Sequence, residues 1–300
     1  MDYPNESARS QAQAIMGKAK QVFDAYRERA GRSLVALDWA GIGDACCHAR
    51  LILQHLTKKN KVMWITKPLV ADLFRDDDLM DVVPGFGLDD YRGVGCPWIA
   101  RRATPDLNNV FEACFPSNPK LHVSYLVSQY WINGGPRENF SELFFRACSI
   151  ERDFAIKHSL IHLGKSPIEG KYIVMEPTGG SGRLSPEECS KTAKLLEPRG
   201  IQVVILGSPH CPKVPGAINK PGIGLYDSFS IIKSAVGFVG KSSGNQSLVC
   251  FMWDSQMPLF EVGLNPSISY GQKGCRLYNP DKTIGVPENF ADAVAGHYGR

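Results

Sequence analysis

The chain has 300 residues, 43% of them hydrophobic and 21% charged, with a net charge of +4. That length suits two domains of ordinary globular composition. The mild positive charge demands no nucleic-acid partner and leaves room for an anionic ligand.

Residues 6–29 predict an amphipathic helix, with Ile15, Ala19, Val22, Phe23 and Tyr26 at three- and four-residue steps and Gly31 as its end. Ser33–Leu37 is a short apolar run, as a strand covered on both faces requires. Gly41 and Gly43 form a turn, and from Asp44 the pattern is helical, with Leu51, Leu53 and Leu56 on its buried side. Lys61–Thr66 predicts a second strand, Pro68–Phe74 a short helix, and Asp81–Pro84 a third strand. Alternating strands and helices argue for a parallel sheet. Residues 85–165 carry turn signals and a polar, aromatic-rich stretch, with helices expected around Val123–Trp131 and Asn139–His158 but no strand order.

The α/β pattern then recurs. Tyr172–Met175 is a strand, 178–185 a glycine-rich turn, and Pro186 stands at a helix N1 position with Glu187 and Glu188 in the first turn. That helix runs to about Pro198. Strands follow at Gln202–Leu206, Val236–Val239 and Pro258–Val262, and helices at Ser228–Ser234, Gly244–Phe251 and Pro287–Tyr298. The stretch His162–Gly170 has linker composition, so the expected domains are 1–165 and 166–300.

No apolar run is long enough to span a membrane, and the N-terminus lacks a secretory pattern. The nine cysteines show no CxxC spacing, so free buried thiols in a reducing cytoplasm are expected. His210 beside Cys211 is too little for a metal site, and no metal ligand set or cofactor is expected.

Three glycine turns follow predicted strands: Gly41–Asp44, Thr178-Gly179-Gly180-Ser181-Gly182, and Ser242-Ser243-Gly244. Taken singly, each is most simply a tightly packed loop. Ligands of open parallel sheets, however, bind beyond the carboxyl ends of the strands, where helix N-termini favour phosphate. Two such turns in the second half point to a nucleotide diphosphate there. None matches the dinucleotide or P-loop patterns. Asp44 reads either as a first-turn helix acid or as a general base for an attacking hydroxyl. Arg183 and Lys241 are candidates to face the charge of a leaving diphosphate, or else solvated surface residues.

Four stretches together resemble glycosyltransferase family nine, the ADP-heptose:lipopolysaccharide heptosyltransferases and their relatives: LVALDWAGIGDACCHARLI, KVMWITKPLVADLFRDDDLMDVV, YIVMEPTGGSGRLSPEE and SFSIIKSAVGFVGKSSGNQSLV. The resemblance implies the GT-B fold, two Rossmann-like domains whose parallel sheets face across a cleft. It implies an inverting transfer of a sugar from a nucleotide-sugar co-substrate to a hydroxyl acceptor, without a catalytic metal. Asp44 matches the family's catalytic aspartate. Thr178, Gly179, Gly180, Ser181 and Arg183 fall in the stretch that resembles its phosphate loop, Ser243 and Gly244 match its donor-phosphate turn, and Lys241, Ser242 and Ser247 belong to the same stretch. Arg183 stands where the family has lysine, Leu184 where it has tryptophan, Ser242 where it has aspartate and Ser247 where it has histidine. These departures imply another nucleotide sugar or a changed phosphate grip.

Two further readings accompany this one. Arg92, Arg101, Arg102 and Lys120 interleave with Trp98, Tyr125, Tyr130 and Trp131, a combination that suits a DNA acceptor carrying a hydroxylated base. The blander reading is core aromatics with solvated arginines. The other is a relative that binds nucleotide sugars without turning them over.

Overall fold

The structure is a computed structural model that describes residues 6–39, 45, 49–86, 97–126, 164–179, 182–240, 259–261, 275–277 and 290–298. The chain divides into two compact units, Met1–Ala155 and Ile156–Arg300.

In the first unit, helix α1 (Glu6–Ala30) buries Ala12, Ile15, Ala19, Phe23 and Ala30 along one face. It stops at Gly31, whose φ of 52° is the left-handed conformation that glycine adopts without steric cost. There follow β1 (Leu34–Leu37), α2 (Arg50–Leu56), β2 (Val62–Thr66), α3 (Pro68–Leu73), β3 (Asp81–Pro84), α4 (Pro97–Cys114) and β4 (Lys120–His122). The strands form one parallel sheet in the order β3-β2-β1-β4. Both β1 and β2 are buried along their whole length, as strands covered on two faces must be.

Alternation along the strands sends Val35, Leu37, Met63 and Ile65 into a core with Ala19 and Phe23 of α1 and Leu107, Phe111 and Cys114 of α4. The Phe23 ring lies 5.4–5.9 Å from the rings of Phe111, Phe86 and Phe115, the spacing of tilted and edge-on aromatic contacts. Trp64 meets Phe74, the cap of α3, at 5.6 Å. Helix α4 and strand β4 lie in the stretch where the sequence predicts no such elements. Residues 123–126 are helical, where the helix over 123–131 is expected to begin.

The second unit contains β5 (Lys171–Glu176), β6 (Thr178–Gly179), β7 (Gly182–Arg183), α5 (Pro186–Leu196), a 3-10 turn (Glu197–Arg199), β8 (Ile201–Ile205), β9 (Ile218–Asn219), α6 (Leu225–Ser234), β10 (Gly237–Gly240), β11 (Leu259–Glu261), β12 (Cys275–Leu277) and α7 (Phe290–Tyr298). Its main sheet is parallel in the order β12-β11-β10-β5-β8-β9. The chain steps outward from β5 to β8 and β9, then returns to the other side of β5 for β10, β11 and β12. That is the doubly wound order of a Rossmann sheet.

Ile173, Met175, Val203, Ile205 and Val239 pack against Cys189, Ala193 and Leu196 of α5 and Phe290, Val294 and Ala295 of α7. Helix α7 is tied to its neighbours by the Lys191–Asp292 ion pair at 2.8 Å and by Arg199, which donates to the Ala295 carbonyl. On the opposite face, the Tyr172 hydroxyl donates to the Ile231 carbonyl of α6 at 2.8 Å. Among the described residues no helix is long and apolar enough to cross a membrane.

Candidate functional site

A parallel sheet that winds in both directions from one strand leaves a crevice where the two directions part, at the carboxyl ends of the strands. In the second unit the parting strands are β5 and β10. Their last residues, Glu176 and Gly240, are register partners. The two stretches expected to hold a donor begin within two residues of these strand ends.

After β5 the chain passes Pro177 and forms a small antiparallel hairpin, Thr178 opposite Arg183 and Gly179 opposite Gly182. The glycine-rich turn of the sequence is therefore two paired strands, with Gly180 and Ser181 between them lying outside the described residues. The Leu184 amide donates to the Pro177 carbonyl at 2.8 Å and closes the hairpin, and the Leu184 side chain is buried in the core. Leu184 is thus an anchor for the hairpin.

Helix α5 starts at once. Ser185 is its N-cap, and its hydroxyl accepts the Glu188 amide at 3.1 Å. The Cys189 amide bonds to the Ser185 carbonyl, and Pro186 has no amide to offer. The first turn, with Glu187 and Glu188 in it, is largely self-satisfied. A phosphate beside this helix would depend on the hairpin backbone and Arg183 more than on the helix terminus. Lys241, Ser242, Ser243, Gly244 and Ser247 lie outside the described residues.

In the first unit the strand order places the crevice between β1 and β4. Gly41, Gly43 and Asp44 lie outside the described residues. The chain leading toward them is described, and it holds polar residues that sequence patterns do not single out. Asp38, the residue after β1, is fully buried. Its amide donates to the Ile65 carbonyl at 3.0 Å, and its Oδ1 accepts the Ser124 hydroxyl at 2.7 Å. The Trp39 amide in turn donates to Ser124 Oγ at 3.2 Å. Thr66 and Lys67, at the end of β2, are also buried.

His122 ends β4, opposite Leu37. Its Nδ1 stands 3.2 Å from the Asn108 side-chain oxygen, so Nδ1 carries the proton and donates. The ring stacks on Tyr125 and meets Phe111 edge-on, each at 5.8 Å. Burial pushes the imidazole down to about 3, so it is neutral at ordinary pH. The only sequence signal for Asp38 is that it follows a predicted strand, and His122 has none, because the three-residue β4 offers no run to read. Their proximity follows from the pairing of β1 with β4, residues that are far apart in the chain.

Cys114, Cys189 and Cys211 are buried thiols that form no disulfide, as the sequence leads one to expect. Burial pushes the Cys189 thiol up to about 12, which removes its nucleophilicity. The remaining cysteines lie outside the residues whose side chains are described. Among the described residues no three His, Cys, Asp or Glu side chains gather to hold a metal, so His210 and Cys211 gain no ligand set there.

Two Rossmann-like units, each a parallel sheet with its own carboxyl-edge crevice, define the GT-B fold of glycosyltransferases. No protein-family model and no curated protein matches the chain. Solved structures do. The Escherichia coli heptosyltransferase WaaC with ADP is 14% identical, with a TM-score of 0.60 over 88% of this chain and 98% of that one. The E. coli ADP-heptose lipopolysaccharide heptosyltransferase II is 12% identical, with a TM-score of 0.55 over 89% of this chain and 100% of that one. A family-nine glycosyltransferase from Veillonella parvula is 11% identical, with a TM-score of 0.55 over 81% of this chain and 85% of that one. At such identities the fold is what is shared, and it is the fold that the resemblance to family nine implies.

Proposed function

We propose that the chain is a glycosyltransferase that moves a sugar from a nucleotide-diphosphate sugar to a hydroxyl acceptor, with inversion and without a catalytic metal. The donor lies against residues 178–183 and 241–247 of the second unit. The acceptor lies against the first unit, with Asp44 as general base. The acceptor oxygen attacks the anomeric carbon and forms the new C–O bond while Asp44 takes its proton. The old bond to the diphosphate breaks, and the nucleoside diphosphate leaves with the electron pair. Arg183, Lys241 and the backbone amides of the two donor stretches face the charge that develops on it.

The observation that carries this reading is topological. The two stretches expected to hold the donor, 178–183 and 241–247, follow within two residues of Glu176 and Gly240, the paired ends of the two strands that flank the crevice of a Rossmann sheet. The solved heptosyltransferases of the same fold include one with ADP and one with ADP-2-deoxy-2-fluoro heptose, which makes a nucleotide sugar the natural ligand class.

A thermal-shift panel of nucleoside diphosphates and nucleotide sugars tests it. A ligand at about a hundredfold excess over Kd stabilises the native state by about 2.7 kcal/mol. One nucleotide series is expected to raise the melting temperature. With that donor, Asp44→Asn is expected to keep the shift and lose sugar transfer. A panel with no stabilising nucleotide, on folded protein, would overturn the reading.

A further inference from the structure

Helix α5 packs Cys189, Ala193 and Leu196 against the second sheet. Its other side carries Glu187, Ser190, Lys191 and Lys194 at three- and four-residue steps, so these four stand in one stripe. The loop between β8 and β9 runs beside that stripe and forms a fixed wall. Val214 of the loop is buried in the same core as α5. The Asn219 side chain accepts the Val214 amide at 2.8 Å and donates to the carbonyls of Val214 and Ala217 at 3.0 and 2.9 Å. Lys213 and Pro215 flank Val214, and with Pro186 and the stripe they line a groove of about 510 Å³, a volume in the range of small-molecule sites.

The mixed lining selects the ligand. Lys191 pairs with Asp292 at 2.8 Å. Lys194 on the helix and Lys213 on the loop are exposed, and neither ammonium has an ion-pair partner among the described residues. An anion between the two walls meets both charges. Glu187 in the same groove repels a bare polyanion and accepts hydrogen bonds from hydroxyls, and the Ser190 hydroxyl adds a polar partner. Pro186 and Pro215 offer rigid apolar faces to C–H groups. Among the described residues no aromatic ring lines the groove, so nucleic-acid bases have nothing to stack on. We propose that this groove is a second ligand site, for a phosphorylated saccharide: Lys194 and Lys213 hold its phosphate, and Glu187 and Ser190 hold its hydroxyls. The groove shares no residue with the stretches assigned to the donor, so failure of the donor reading leaves it untouched.

The test is calorimetric titration of the full chain with glucose 6-phosphate, mannose 6-phosphate and ribose 5-phosphate, with the three parent sugars and with inorganic phosphate. At least one sugar phosphate is expected to bind, and its parent sugar and inorganic phosphate are expected to bind about tenfold or more weakly. Lys194→Ala and Lys213→Ala should each weaken that sugar phosphate about tenfold, the scale of a hydrogen bond to a charged group. Glu187→Ala should weaken the sugar phosphate severalfold and leave inorganic phosphate bound no less tightly, because a like charge has gone. Lys233→Ala, at an exposed lysine of α6 outside the groove, should change nothing, which separates the groove from net charge.

Inorganic phosphate bound as tightly as the sugar phosphates means a bare cationic patch and overturns the proposal. So does a loss in Lys233→Ala equal to that in the groove variants. Sugar-phosphate binding that survives both lysine substitutions also overturns it, and its loss in Arg183→Ala would place that ligand in the donor crevice instead. A wild type that is folded and binds no sugar phosphate of the panel has the same consequence. Glu187, Lys194 and Lys213 are exposed, so their variants are expected to keep the wild-type circular dichroism and melting temperature. If no nucleotide stabilises the protein while a sugar phosphate binds through Lys194 and Lys213, the donor reading fails and the groove stands.

Discussion

The guanidinium of Arg50 and the carboxylate of Asp77 meet at 2.7 Å with 2% and 0% of their side chains exposed. Arg50 also donates to Gln54 and lies over the Phe74 ring at 5.1 Å, and Asp77 Oδ1 accepts the amides of Leu79 and Met80. The pair fastens the first turn of α2 to the loop before β3. A buried ion pair contributes little net stability over an apolar substitute, but losing one partner strands the other charge. Asp77→Ala is therefore expected to lower the unfolding free energy by about 3–5 kcal/mol. Asp77→Asn, which keeps an acceptor for the two amides, should cost less. Urea denaturation of the two variants gives the comparison, and equal costs would mean that the loop amides do not draw on Asp77.

Gly237 of β10 lies beneath Tyr298 at the end of α7. A Cβ at this position would overlap the tyrosine hydroxyl and ring. Gly237→Ala must therefore push α7 from the sheet, or shift β10 toward the crevice at Gly240. A loss of about 1–3 kcal/mol is expected, the range for overpacking. Tyr298→Ala alone should also destabilise, because the ring packs on the core of the second unit. Once that ring is gone, adding Gly237→Ala should cost little, so the two losses should be strongly non-additive. Additive losses in thermal denaturation would mean that the clash is not the cause.

The same contrast between local and distant information runs through the fold. Strands β1, β2, β3, β5 and β8 were legible to within a residue because each is a compact apolar run between turn signals. Helix α4 was not, because Pro105 stands inside it and its stripe of Leu107, Phe111 and Cys114 starts only after that proline. Strand β4 has three residues, of which only His122 is buried, and β9 has two, so neither offers a run to read. At the candidate site the glycine turns and Asp44 stand out because their signal is local. The contact of Ser124 with Asp38 spans 86 residues of sequence and exists only once β4 has paired with β1.

His122 makes stability depend on pH with a definite sign. Burial holds its folded value at about 3, against 6.5 ordinarily. Between those values the unfolded chain binds a proton that the folded chain refuses. This contribution is thus intact above about pH 6.5 and is lost as pH falls toward 3, by at most about 1.4 kcal/mol per pH unit. His122→Phe removes the titration and also a buried Nε2 that has no hydrogen-bond partner among the described residues. Near pH 7 the variant should be about as stable as the wild type, and between pH 6 and 4.5 its denaturation midpoint should fall less steeply. Parallel pH profiles would show that the ring takes up its proton in the folded state.

Ser185 and Arg183 separate two ways of holding a phosphate after β5. If the terminus of α5 held it, freeing the Glu188 amide in Ser185→Ala would change nucleotide affinity at once. If the hairpin holds it, Ser185→Ala should cost only the cap, about 1 kcal/mol of stability, and leave the nucleotide-induced shift nearly intact. Arg183→Ala should then leave the melting temperature of the free protein alone and abolish the shift. The occupied first turn of α5 favours this second pattern. A nucleotide shift that survives Arg183→Ala and disappears in Ser185→Ala would move the phosphate from the hairpin to the helix.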